Sequence, residues 1–214
     1  KFVEGLRVTD EDTIKVVEDV LANDINTEIV KAINDSGGKA IGLSGNKNNL
    51  LNASRLKVEI KESDSNIEKF VDIGFVGQPT NVNISLIKNH IKNGEIPVIA
   101  PLGIDDKNNS YNINADTAAG FIAGSLKASK LLLLTDVAGV LDKDKNLISS
   151  LSLDDAVKII EEDFIVGGMK PKIITCVEAM KNGVNKSTIL DGRIPHSLVL
   201  ELFTEHGIGT QIYS

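Results

Sequence analysis

Three side chains able to bind a ligand or organise ions sit within five positions of "YNINADTAAG", Tyr111 to Gly120: Asn112, Asn114 and Asp116. Asn and Asp are poor strand formers and poor helix-interior residues, but strong helix N-caps. One residue suffices for a cap. The stretch therefore reads either as capping, or as a site where Asn112 and Asn114 hydrogen-bond a ligand and Asp116 organises nearby cations. A second cluster is "GGMKPK", Gly167 to Lys172. Its two glycines let backbone approach a ligand closely, and Pro171 stiffens the loop. Lys172 falls where a helix begins, a place unfavourable to a cation unless an anion is present. A phosphate would supply that anion; a solvated surface loop is the alternative. The third candidate is Arg7 in "GLRVTD". A guanidinium can grip a carboxylate through two parallel hydrogen bonds, although an isolated arginine is equally at home on a surface.

Other chemistries find little support. His90, His196 and His206 are too scattered for a metal site, and Cys176, beside Ile174 and Val177, reads as core packing. Neither a Walker-type phosphate loop nor a GxGxxG is present.

The elements that must position these residues follow from periodicity. Thr9 with Asp12 forms a capping-box-like helix start. Apolar residues then recur at Ile14, Val17, Val20 and Leu21, and again at Ile29, Val30 and Ile33. This spacing predicts a helix broken near "AND" (Ala22 to Asp24) and stopped by Gly37 and Gly38. "KAIGLS" is a short strand. Gly45 to about Phe75 is polar and turn-rich, with alternation in "RLKVEI", and reads as a hairpin excursion able to act as a lid. Strand and helix then alternate: "SLIKNHIKNG" helix, "IPVIA" strand, "NADTAAGFIAGSLKA" helix, "KLLLLTD" strand, and "LDDAVKIIEED" helix with Ser152 as N-cap. "PKIITCVEAMKNG" is a helix, "STILD" a strand, "PHSLVLELFTEHG" a helix and "TQIYS" a closing strand. Continuously apolar strands separated by helices imply a mainly parallel sheet covered on both faces. Ligands bind such sheets at the carboxyl ends of strands. That rule selects the loops "PLGIDDKNNSYNINAD", "TDVAGVLD", "VGGMKPK" and "LDGRIPH".

The 214 residues are 42% hydrophobic and 25% charged, enough for a substantial core, with no visible domain linker or internal repeat. The net charge of −7 and the lack of a Lys/Arg-dense run exclude nucleic acid as an expected partner. One cysteine excludes a disulfide framework, and "LLLL" is far too short to span a bilayer. The expectation is a cytoplasmic protein with no membrane partner.

Taken in order, "GLRVTD", "YNINADTAAG", "LLTDVAGVLD", "GGMKPKI", "DGRIPHSLVLELF" and "GIGT" resemble the acetylglutamate kinases of the amino acid kinase family. The resemblance runs from Gly5 to the C-terminus and implies an α/β fold, a three-layer αβα sandwich around a mainly parallel sheet. It implies one kinase domain over 1–214, with an acetylglutamate lobe before about residue 110 and a nucleotide lobe after it. The implied reaction is transfer of the γ-phosphoryl group of ATP, with Mg2+, to the side-chain carboxylate of N-acetyl-L-glutamate in arginine biosynthesis. By this resemblance Arg7, Asn112 and Asn114 hold acetylglutamate. Asp116 organises the catalytic lysines and Lys172 neutralises charge on the transferring group. Asp136, Val137, Gly139, Val140 and Leu141, with Phe164, Ile165 and Val166, lie along the nucleotide. No metal site built from protein side chains is expected. Family members carry two glycine-rich segments ahead of "GLRVTD"; this chain opens on Lys1, so it is expected to be N-terminally incomplete and of little activity as it stands.

The resemblance further implies a homo-oligomer, a dimer, or a hexamer where an N-terminal helix exists. It also implies inhibition by L-arginine through the C-terminal segment, with Glu201 and Glu205 one turn apart on a helix face and Gly207 and Gly209 opening the backbone to the ligand. Two rivals remain: a sister kinase acting on aspartate, glutamate, carbamate or UMP, and a non-catalytic module that senses amino acid or nucleotide through the same fold.

Overall fold

The computed structural model describes residues 2–3, 6–61, 68–165, 167–204 and 207–214, with side chains described over 8–57, 71–165, 167–204 and 207–214. The chain divides into two compact units, 1–118 and 119–214.

In the first unit, β1 (Phe2–Val3) and β2 (Leu6–Arg7) pair antiparallel. Helix α1 (Glu11–Glu18) passes through a π-helical turn, Asp19–Ile25, into α2 (Asn26–Asp35). The cap of α1 is Asp10, whose Oδ1 accepts from the Thr13 N–H at 2.8 Å, and not the expected Thr9. Thr9 is fully buried, and its backbone bridges Ile73 O and Phe75 N at 3.0 and 2.7 Å, so it belongs to the sheet rather than to the cap. The helix does not break at "AND". The polar triplet is taken up by the π turn, which shifts the helix register so that Asn26 faces inward. There Asn26 is buried and donates from Nδ2 to Val98 O at 2.9 Å and Leu43 O at 3.4 Å.

Strand β3 (Ala40–Ser44) follows, then β4 (Leu51–Lys61), β5 (Glu68–Val82), α3 (Ile84–Lys92), β6 (Ile96–Ala100), β7 (Leu102–Ile104) and β8 (Ser110–Asn112). Strands β3 and β6 pair parallel over their whole length. The expected hairpin is the antiparallel pair β4–β5, irregular at Asn52/Ala53 and Arg55/Lys57. Together with β7 and β8 it closes into a barrel, which ties the root of the excursion to the strand carrying Asn112. Ile14, Ala100 and Leu102 form an inner cluster with Val17, Leu21 and Phe75 against it.

The division falls within α4 (Ala115–Leu126). The second unit continues with β9 (Lys130–Thr135), β10 (Ser150–Ser152), α5 (Leu153–Ile159), α6 (Met169–Lys181), β11 (Lys186–Asp191), α7 (Ser197–Phe203) and β12 (Thr210–Tyr213). Its sheet runs β10-β12-β11-β9. The β10–β12 and β11–β9 pairs are parallel, while the closing strand β12 lies antiparallel to β11. Leu131, Leu133, Ile189 and Ile212 meet Ala156 and Ile159 of α5 and Ile173, Cys176, Val177 and Met180 of α6 in one core. Each fully buried Ile or Leu contributes about 2 kcal/mol by leaving water. Cys176 is core, as its neighbours imply. Ser152 caps α5 by accepting from Asp155 N–H at 3.1 Å.

Helix α7 is shorter than its apolar pattern suggests. It starts after His196, held at φ 60°, and ends at Phe203, where the Thr204 hydroxyl donates to Leu200 O at 2.6 Å. A side-chain hydroxyl that binds back onto the preceding turn competes with continuation of the helix.

Candidate active site

In the second unit the carboxyl end of β9 opens into a cavity of about 310 Å³. Thr135, Asp136, Val137, Gly139 and Leu141 form one wall, and Phe164, Ile165, Gly168, Met169 and Lys172 the other. That volume is at the lower end of those found for small-molecule sites. Two turns shape it. Between Leu141 and Leu147, Asp142 accepts from the N–H groups of Asp144 and Asn146 at 2.9 and 2.8 Å and from Asn146 Nδ2 at 3.2 Å. These bonds, led by the Asn146 backbone, hold the Asp142 carboxyl below its ordinary value and pin the turn. Gly139 has φ 148°, and a Cβ there would come within 2.6 Å of Thr210 Oγ1. Only glycine fits that approach. Next to it, Val140 N–H donates to Thr210 Oγ1 at 2.8 Å, fixing the wall to the start of β12.

The opposite wall ends in the N-terminus of α6. Gly168 stands at the cap of this 13-residue helix with no side-chain cap bond, and Pro171 carries no N–H, so the first-turn N–H groups that no side chain caps are those of Met169 and Lys170, at the positive end of the helix dipole. Lys172 is in the first turn and half-buried, its side chain lining the cavity. Lys143 Nζ stacks 5.5 Å from the Phe164 ring centre and pairs with Glu162 at 3.5 Å, which steadies that aromatic wall. An apolar slot with a lysine and uncapped helix donors at one end suits a flat heterocycle carrying phosphates.

Of the expected nucleotide residues, Asp136, Val137, Gly139, Leu141, Phe164 and Ile165 line this one cavity with Lys172. Val140 differs: its side chain is fully buried in the core, because alternation along the loop turns it inward. Val166 lies outside the described residues. Thr135, Gly168 and Met169 line the cavity as well; they lie within the quoted stretches "TDVAGVLD" and "GGMKPK" but were not named as nucleotide contacts.

In the first unit, Asn112 closes β8, paired with Val76 and Leu102 on either side. Asn114 accepts from Thr117 N–H at 3.1 Å and so caps α4, which commits its Oδ1 to the helix. Asp116 is half-buried in the first turn of α4, where its charge suits the macrodipole. The backbone of Arg7 pairs with Phe2, and its side chain lies outside the described residues. The β7–β8 turn that delivers Asn112 is held by Asp105. This carboxylate accepts from Lys107 N–H, Asn109 N–H, Asn109 Nδ2 and Tyr111 Oη, each at 2.9 Å. Burial works to raise its pKa, but the Asn109, Tyr111 and Lys107 donors outweigh it and lower the value to about 2.

The C-terminal segment departs from expectation. Helix α7 ends at Phe203, and Glu205 lies outside the described residues. Glu201 is buried: its Oε1 accepts from Thr188 Oγ1 at 3.1 Å and its Oε2 from Ile208 N–H at 3.0 Å. It ties the segment after α7 to β11 and is not displayed to a guanidinium. Gly207 (φ 60°) leaves room for that carboxylate, and Gly209 for Ile189 O and Leu190.

Known proteins match this architecture. The amino acid kinase family model matches residues 1–191. Acetylglutamate kinase of Rhodospirillum centenum is 53% identical over 212 residues, covering 99% of this chain and 70% of the relative. Acetylglutamate kinase of Brucella anthropi is 54% identical over 212 residues, covering 99% and 72%. Among solved structures, N-acetylglutamate synthase from Neisseria gonorrhoeae, complexed with coenzyme A and N-acetyl-glutamate, superposes with TM-score 0.85 at 28% identity, over 100% of this chain and 46% of that one. No described helix is long and apolar enough to cross a membrane. With a family model over residues 1–191 and relatives more than half identical along nearly its whole length, the chain belongs to the acetylglutamate kinases of the amino acid kinase family.

Proposed function

We propose that the protein phosphorylates the side-chain carboxylate of N-acetyl-L-glutamate with ATP, a step of arginine biosynthesis. The observation that carries this reading is the cavity at the end of β9, where Asp136, Val137, Gly139, Leu141, Phe164 and Ile165 surround the approach to Lys172 and the uncapped start of α6. The acceptor carboxylate is ionised at neutral pH and is already a competent nucleophile, so no general base is needed. One of its oxygens attacks the γ-phosphorus, the bond from that phosphorus to the β–γ bridging oxygen breaks, and ADP leaves with that electron pair. Catalysis is then positioning and charge stabilisation.

In this reading Lys172 neutralises charge gathering on the transferring group, and Asp116 orders the cations that serve it. Arg7 and Asn112 grip the acetylglutamate carboxylate that is not phosphorylated. Asn114 serves the acceptor pocket through its amide nitrogen, its oxygen being spent on the cap. Mg2+ bound together with ATP would offset phosphate charge. Among the described residues no three His, Cys, Asp or Glu side chains gather as a cage. An ion held chiefly by phosphate oxygens and water requires none. Cytoplasmic residence and a homodimeric or hexameric assembly belong to the same proposal, and sedimentation of the native gene product measures the latter.

Release of ADP by the native gene product, followed with acetylglutamate, glutamate, aspartate and carbamate in turn, tests the activity. A strong preference for acetylglutamate is expected. Preference for a free amino acid would assign a sister kinase, and ligand binding without turnover a sensing module.

A further inference from the structure

The strand ends beside the cavity carry more charge than the proposed reaction uses. Strands β9 and β11 are parallel neighbours, with Thr135 and Asp191 in register, and Gly192 N–H donates to Thr135 O at 2.8 Å. Two carboxylates, Asp136 and Asp191, thus leave the sheet side by side at the end where an anionic nucleotide is proposed to bind. Unopposed, they would repel its phosphates. Arg193 stands between the two problems. Its Nε and Nη2 donate to Asp191 Oδ1 and Oδ2 at 3.0 and 2.8 Å, and its own N–H donates to Oδ1 at 2.9 Å. The Asp191 side chain is only 11% exposed, so this fork locks it, while the Arg193 side chain stays 68% exposed. A surface arginine held in a fixed geometry by three bonds around a buried carboxylate is not an ordinary solvated charge. Asp136, which lines the cavity, directly follows Thr135, the register partner of Asp191, so the fork holds Arg193 at the strand end from which Asp136 leaves; Asp136 adds the smallest of the influences that raise the Arg193 pKa, after those of Asp191.

We propose that Arg193 is a positioning residue of the nucleotide site: clamped by Asp191 at the end of β11, it offsets the Asp136 carboxylate at the end of β9, so that the cavity accepts a polyphosphate. The inference rests on the nucleotide reading of the cavity and adds a requirement specific to phosphate, since adenosine alone gains nothing from the offset.

Calorimetry on the native gene product with ADP and with adenosine, alongside steady-state kinetics, tests it. R193Q is expected to weaken ADP and raise the KM for ATP roughly fivefold, the size an exposed charge pair allows. Adenosine affinity and the acetylglutamate KM are expected to hold. R193K should recover part of the loss because the charge returns without the fork. D136N in the R193Q background should restore ADP affinity, because the repelling carboxylate is gone. That reversal is an outcome that damage to loop structure would not give. Unchanged ADP and ATP constants in R193Q, or equal weakening of ADP and adenosine, would overturn the role of Arg193. Failure of the native protein to bind ADP at all would instead remove the nucleotide reading beneath it.

Discussion

At the scale of single residues, Lys172 gathers the strongest functional argument. It sits in the first turn of α6, against the favourable direction of the helix dipole, and faces a cavity whose other walls are largely apolar or backbone. A cation lining that end of the cavity is placed to meet an arriving phosphate. Removal of one preorganised charge from a transfer site costs on the order of 3–4 kcal/mol. Lys172→Ala is therefore expected to lower kcat by about two to three orders of magnitude while the acetylglutamate KM stays within about twofold, measured by ADP release from the native gene product. Parallel losses in kcat and acetylglutamate affinity would mean that Lys172 holds the ground state only. The loops at this end of the sheet were legible from periodicity, and the individual nucleotide residues from the family resemblance. Asn114 and Val140 show why some roles were not: which of three polar residues becomes the cap, and which of several small apolar residues in a loop turns inward, depends on backbone direction rather than on type.

At the scale of elements, the β7–β8 turn gives a prediction with a definite sign. Asp105 has a folded pKa of about 2 against an ordinary 3.8, held down by the Asn109, Tyr111 and Lys107 donors against the opposing effect of burial. Because the folded value is the lower one, the unfolded chain takes up the proton first as pH falls. The turn's contribution to stability is thus fully present above about pH 4 and is lost as pH drops towards 2. Urea midpoints of the native protein and Asp105→Asn, compared between pH 5 and pH 2, are expected to converge as acid is added. Parallel curves would show that the Asp105 bonds do not stabilise the fold. The helices and the main strands from Ile84 onward could be read from apolar periodicity, and so could a mainly parallel arrangement, but not the short strands β7, β8 and β10 or which strands pair. What periodicity missed was set by tertiary bonds. Thr9 looks like a cap until the sheet claims its backbone, and "AND" looks like a break until Asn26 finds two carbonyls across the unit. Helix α7 looks long until Thr204 and Glu201 turn the chain back onto β11.

At the scale of the whole molecule, the sequence carries its candidate chemistry in two blocks, and the fold keeps them in two compact units, 1–118 and 119–214. Arg7, Asn112, Asn114 and Asp116 belong to the first; the cavity lining and Lys172 belong to the second. The family resemblance puts a division at about residue 110; the two units meet at 118, inside α4, whose small-residue pattern runs on across it without interruption. The division has a consequence that hydrogen exchange can read. A ligand that binds the native state suppresses the local openings through which amides exchange, and does so most where it makes its contacts. ADP added to the native gene product is therefore expected to slow exchange over 135–141 and 164–172 first. Acetylglutamate is expected to act first over 110–116. The acceptor-side turn is already well bonded through Asp105, so its protection should rise from a higher starting level than that of the uncapped start of α6. Protection by ADP centred on 110–116, or by acetylglutamate centred on 164–172, would reverse the assignment of the two ligands to the two units.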